Sequence, residues 1–328
     1  MKILIVRFSS IGDIVLTTPV IRAIHAQRPD VEIHYLTKKG FKSILEHDTR
    51  IHTLHTYDKK LEEVIPALQA EQFDHIIDLH NNLRTLRLKN KLKRPSVAFK
   101  KLNIQKWLLV NFKKKMETNH VVDRYFDAVA HLGIKNDHLH GSVVLPSEFS
   151  IESFGITSKQ YVAVAIGAQF ATKIAPVNVL VDIFKDIQAP IVLLGGPTDV
   201  ERAEAIEKAL VDTSVQIINA VNKCKLMDSV ELVRQAKVLL AHDTGLMHFG
   251  ASFGTPIVSI WGNTVPELGF APYYPNQPEM YSIHQVENLS CRPCSKIGHA
   301  SCPKKHFNCM QLQNKKAIAQ DVNNRFFA

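Results

Sequence analysis

Short apolar runs that end in small or polar residues alternate along this chain with stretches of helical apolar spacing, in two separate series. The first series predicts strands over Lys2–Arg7, Val31–Thr37, Ile51–Thr56 and His75–Leu79, with helices over Ile14–Gln27 and Lys59–Ala70. The second restarts at Tyr161–Ile166 and continues with strands over Pro190–Leu194, Val215–Ile218, Val238–Ala241 and Pro256–Trp261. Helices are predicted within it over Val200–Leu210, Met227–Ala236 and Gly245–Ser252. Strand–helix alternation calls for a parallel sheet covered on both faces. The chain's 328 residues suffice for about two domains. The break at Leu145–Ser158, with Pro146, Gly155 and several Ser and Glu, sets the expectation of two doubly wound α/β domains, 1–152 and 153–328. Ligands of such sheets bind beyond the carboxyl ends of the strands.

Composition excludes other classes. With 45% apolar and 22% charged residues the chain is neither disordered nor fibrous. No uninterrupted apolar run approaches the roughly 20 residues of a membrane-spanning helix. The apolar run at the N-terminus, Ile3–Val6, is too short for a signal peptide. The five cysteines are therefore expected in a reducing cytosol.

Charge is strongly localised. Lys and Arg number 40 against 31 Asp and Glu, a net +9. Between Arg84 and Lys115 lie twelve basic residues and no acidic one, which leaves the rest of the chain at −3. Arg84, Arg87, Lys113, Lys114 and Lys115 belong to this segment, interleaved with Leu83, Leu86, Trp107 and Phe112. Such a mixture suits an anionic lipid surface or a phosphorylated saccharide, and equally a solvated basic face. Nucleic acid is not an expected partner, because no recognised nucleic-acid-binding motif accompanies the charge.

Four strand-to-helix junctions carry candidate chemistry. Ser9-Ser10-Ile11-Gly12-Asp13 follows the first strand; Asp13 suits a general base and equally a helix N-cap. His242-Asp243-Thr244-Gly245-Leu246-Met247-His248 brings Thr244 and Gly245 to a helix N-terminus, a natural diphosphate site, with Asp243 and His248 beside it. Gly167 opens a loop that ends in Lys173, a cation fit for phosphate or a surface lysine. Asp199, after Gly195-Gly196-Pro197, suits ribose hydroxyls or a cap.

The start RFSSIGDIVLTTPVIRAI, the block AHDTGLMHFGASFGTPIVSIWG and their spacing resemble glycosyltransferase family 9, the lipopolysaccharide heptosyltransferases. The resemblance implies a GT-B fold of two Rossmann-like domains, acceptor in the first and sugar nucleotide in the second. It implies an inverting, cofactor- and metal-independent transfer from ADP-heptose to the lipid A–Kdo or heptosylated inner core of lipopolysaccharide. It also implies a peripheral enzyme at the cytoplasmic face of the inner membrane. By motif, Asp13 resembles the general base, and Lys173 the lysine that neutralises the departing ADP. Thr244 and Gly245 resemble the diphosphate donors, with Asp243 and His248 adjacent; Gly167 and Asp199 fall on the donor side. The chain departs from the family pattern at Ile174-Ala175-Pro176, where a Trp-Pro often follows the lysine. The pocket wall near the sugar is therefore expected to differ. The residues also leave open a transferase for another nucleotide sugar or cell-surface acceptor, and a noncatalytic binder of anionic lipid or nucleic acid.

Cys291, Cys294, Cys302 and Cys309 fall within 19 residues, spaced x2, x7 and x6. One CxxC pair plus two further thiols could hold a structural zinc tetrahedrally, with His299 and His306 as competing ligands. Free thiols in a compact tail and a disulfide are the other readings.

Overall fold

β1 (Lys2–Val6) is buried along its last four residues and pairs in parallel with β2 (Glu32–Lys38) on one side and β4 (His75–Asp78) on the other. β3 (Thr53–Tyr57) and β5 (Ser96–Ala98) complete a five-stranded parallel sheet in the order β3-β2-β1-β4-β5. Helices connect the strands: α1 (Ile11–Val15) and α2 (Thr18–Gln27), then α3 (Ile65–Ala70) and α4 (Leu83–Leu92). The helix predicted over Ile14–Gln27 begins earlier and is broken after Val15. Pro19 lies in the first turn of α2, where its missing N–H costs nothing.

The computed structural model describes residues 1–117, 119–146 and 150–328. Its contacts divide the chain into two units: Met1–Leu102 with Asn119–Pro146, and Asn103–Thr118 with Ser147–Ala328. Residues 147–149 of the expected linker lie outside the described residues. The expected domain of residues 1–152 contained the whole basic segment. Instead α5 (Asn103–Phe112) joins the second unit, because Leu109 packs with Val265 and Leu268 and the Lys106 ammonium lies 4.7 Å from the centre of the Phe270 ring. The chain then returns to the first unit through α6 (Val121–Val129).

The second sheet has six parallel strands: β6 (Val162–Ala165), β7 (Ile191–Leu194), β8 (Ile217–Asn219), β9 (Val238–His242), β10 (Ile257–Trp261) and β11 (Tyr281–Gln285). They lie in the order β11-β10-β9-β6-β7-β8. α7 (Val177–Phe184), α8 (Val200–Leu210), α9 (Leu226–Gln235), α10 (Gly245–Ser252), α11 (Asn308–Gln311) and α12 (Lys315–Phe327) cover it. Ile318, Ala319 and Val322 of α12 enter the same core as Val179 and Ile183 of α7. Each unit is thus an open parallel α/β sheet, as the family resemblance implies.

In each sheet the connections turn in opposite directions from the first strand. In the first unit that switch lies between β1 and β4, with Val6 opposite Asp78. In the second it lies between β6 and β9, with Ala165 opposite Ala241. Open α/β sheets offer a crevice at such points. The Ser9–Asp13 motif follows β1, and the Gly167 and His242–His248 motifs follow β6 and β9.

Candidate functional site

In the first unit, Asp13 lies at the third position of α1, and the helix N-cap is Ser10. The Ser10 hydroxyl and N–H donate to Asp13 Oδ2 at 2.7 and 3.3 Å. Arg7 Nη2 meets Asp13 Oδ1 at 2.7 Å. Arg7 is itself fixed, donating to the carbonyls of Leu79 (2.5 Å) and Ser9 (2.8 Å). Burial alone would push the Asp13 carboxyl up; the Arg7 guanidinium and the Ser10 hydrogen bonds outweigh it and hold the group below the ordinary carboxylate range. The result is an anchored carboxylate at the carboxyl edge of the first sheet.

The same edge holds residues that the sequence motifs did not single out. Phe8 meets Tyr57 edge-on at 5.2 Å and His80 at 4.9 Å, and Arg84 stacks over the Phe8 ring at 5.4 Å. Burial, with Arg7 nearby, lowers His80 to about 3, so it is neutral at physiological pH. Arg7 opens the RFSSIGD motif without having been assigned a role, whereas His80 reaches this edge because β4 lies beside β1.

The basic segment is not one surface. Lys89 pairs with the fully buried Asp78 at 3.0 Å. Lys113, expected to face an anionic partner, donates to the carbonyls of Val110 and Pro293, each at 2.6 Å. Arg84, Arg87, Lys114 and Lys115 are exposed.

In the second unit, Lys173 ends a short 3-10 turn and its Nζ lies 2.6 Å from Asp243 Oδ2. Thr264 Oγ1 donates to the same oxygen at 2.9 Å. Thr244 precedes α10 in extended conformation and its hydroxyl does not cap the helix, so the first-turn N–H groups from Gly245 onward receive no acceptor from it. His248 lies one turn into α10 and is buried.

His242 supports this arrangement. Ala175 N donates to its Nε2 at 3.0 Å, so the proton is on Nδ1, which bonds the Ala165 carbonyl at 3.1 Å. Burial lowers His242 to about 4. The neutral ring thereby ties the ends of β6 and β9 to the loop carrying Lys173. Ile174 and Ala175, standing where the family often has Trp-Pro, are buried.

Asp199 is turned inward. Its Oδ2 accepts from Gly196 N at 3.0 Å and its Oδ1 meets Arg202 at 2.5 Å. A Cβ on Gly167 would come within 2.1 Å of Asp199 Oδ2. A glycine at 167 leaves room for this carboxylate, which bonds back to the Gly196 N–H and does not cap α8.

The four clustered cysteines line one cavity with Thr172, Asn263, Arg292 and His306. All are free thiols. Among the described residues no three of them bring ligand atoms within 4.8 Å; the groups that do are Glu32/His34/His52 and His34/His55/Glu71. The four thiols expected to hold a tetrahedral zinc thus line one cavity, with His306 Nε2 3.9 Å from Cys291 Sγ. Burial pushes the Cys309 thiol up to about 12. The segment does reach the candidate site mechanically. His299 N donates to Thr172 Oγ1 at 2.8 Å and Thr172 N to the His299 carbonyl at 3.2 Å, next to Lys173.

A family model described as "Glycosyltransferase family 9 (heptosyltransferase)" matches residues 62–301. The chain is 23% identical over 292 residues to a lipopolysaccharide heptosyltransferase 1 of Campylobacter coli, covering 80% of this chain and 84% of that protein. Its fold is similar to a solved glycosyl transferase family 9 protein of Veillonella parvula, with a TM-score of 0.77, 22% identity and coverage of 99% and 97%. It is similar also to the E. coli ADP-heptose lps heptosyltransferase II, with a TM-score of 0.74, 17% identity and coverage of 100% and 99%.

Proposed function

We propose, from the premise that this chain belongs to glycosyltransferase family 9, that it is an inverting transferase moving heptose from ADP-heptose to the inner core of lipopolysaccharide. The observation that carries the reading is the Lys173–Asp243 pair beside the uncapped N-terminus of α10. An ammonium held beside a helix N-terminus forms an anion site suited to a diphosphate.

The step follows from these groups. The Asp13 carboxylate takes the proton of an acceptor hydroxyl as its oxygen bonds the anomeric carbon. The bond from that carbon to the diphosphate breaks, and its electron pair leaves on ADP. Negative charge grows on the diphosphate, where Lys173 and the Thr244–Gly245 backbone meet it. We propose that these groups act without a metal ion, and no step runs through the cysteine cavity. Attack opposite the leaving group inverts the anomeric configuration. Among the described residues no helix is long and apolar enough to cross a membrane. We place the enzyme at the cytoplasmic membrane surface, where a lipid-linked acceptor is reached peripherally.

The test is a thermal-shift panel of nucleotide sugars, followed by ADP release with a lipid A–Kdo acceptor. ADP-heptose is expected to raise the melting temperature and release ADP only with acceptor present. A shift with UDP-sugars alone would overturn the donor assignment.

A further inference from the structure

α5 is amphipathic in the wrong sense for a surface helix. Its inward face carries Leu109 and the buried Lys106, whereas its outward face carries Ile104, Trp107 and Phe112, which are 73%, 55% and 65% exposed. Ile104, Trp107, Leu108, Asn111 and Phe112 follow i, i+3, i+4, i+7, i+8, so they form one stripe. Trp107 and Phe112 meet edge-on at 5.2 Å, which makes a continuous aromatic ridge. Among the described residues, five of the twelve exposed large hydrophobics lie between Leu83 and Phe112, fewer than a tenth of the 328 positions. Scattered exposed apolar residues are ordinary; a stripe on a single helix is not.

The helix is firmly mounted. Leu109 and Met116 pack with Val265, Leu268 and Phe270, and Lys113 bonds the Val110 and Pro293 carbonyls at its C-terminal end. Beyond the ridge come the exposed Lys114 and Lys115, with one exposed carboxylate, Glu117. An apolar ridge of Trp and Phe flanked by lysines matches the interface of an anionic bilayer, where rings lie at headgroup depth and ammonium groups meet lipid phosphates.

We propose that the outward face of α5 docks on an anionic lipid surface, with Ile104, Trp107 and Phe112 entering the interface and Lys114 and Lys115 meeting headgroups. The inference rests on the proposed function only for its purpose, since an acceptor held in a membrane gives a reason to dock.

The chain supplies its own probe. It has two tryptophans, and Trp261 is 1% exposed, so environment-dependent emission belongs to Trp107. Vesicles of phosphatidylcholine with about a quarter phosphatidylglycerol are expected to shift that emission to the blue, protect it from acrylamide and co-sediment the protein; pure phosphatidylcholine does so far less. Ile104→Ser with Phe112→Ser is expected to weaken partitioning about tenfold or more, while transfer to a soluble delipidated acceptor stays at the wild-type rate. Unchanged emission with vesicles, or equal partitioning of the double variant, would overturn the proposal. So would a concentration-dependent dimer that buries Trp107 without lipid. Vesicle binding with no transfer to any acceptor would instead remove the proposed function and leave the docking surface standing.

Discussion

Lys173 Nζ and Asp243 Oδ2 lie 2.6 Å apart at the carboxyl edge of the second sheet, although 70 positions separate them in sequence. Asp243 holds the ammonium in place, and Thr264 orients the carboxylate from the other side. A diphosphate arriving at the N-terminus of α10 would compete with Asp243 for Lys173. Lys173→Met is therefore expected to lower kcat about 100-fold with a smaller change in donor KM. Steady-state ADP release checks it, and an unaltered kcat removes Lys173 from charge stabilisation.

Asp13 depends on Arg7. With the guanidinium present the carboxylate is held below its ordinary range, so its protonation limits activity only at acid pH below that range. In Arg7→Met burial acts without its main opposing charge, so the Asp13 pKa rises and the acidic limb of the rate profile moves towards neutral pH. Asp13→Asn is expected to abolish turnover and keep the donor-induced thermal shift. A pH–rate profile unchanged in Arg7→Met would show that Asp13 is not the group that titrates.

Gly167 and Asp199 are coupled by space. Gly167→Ala forces a Cβ into the Asp199 carboxylate and is expected to cost about 1–3 kcal/mol of stability. Asp199→Ala in the same chain should recover part of that loss, and a double-mutant cycle by urea unfolding reads the coupling. Strict additivity would mean the two residues do not press on one another.

His242 makes stability pH-dependent. Its folded pKa is depressed to about 4 from 6.5, so its contribution is complete above pH 6.5 and is lost as pH falls towards 4. The linked loss is roughly 3 kcal/mol across that window. His242→Asn should flatten this part of the curve, measured by urea unfolding at neutral and mildly acid pH. An equal slope in both proteins would assign the titration to other buried histidines, of which His55 is also lowered to about 4.

The two βα series and the four strand-to-helix junctions were legible because each depends on residues a few positions apart. Alternation places Leu4 or Val164 in a sheet interior whatever lies elsewhere, and α8 and α10 have the bounds that the apolar spacing predicts. The family resemblance rests on those same junctions. The break between α1 and α2 also has a local signal, Pro19 in the first turn of α2. What the linear order could not decide is which distant surface each segment meets. Twelve basic residues in one window read as a single patch, yet Lys89 is taken by Asp78 of β4 and Lys113 by the Pro293 carbonyl. α5 leaves the unit that flanks it because Leu109 finds its apolar partners at Val265 and Leu268. Four cysteines close in sequence line one cavity with the distant Thr172 and Asn263. Periodicity is a property of neighbours along the chain, whereas partner choice depends on surfaces brought together only when both sheets have formed.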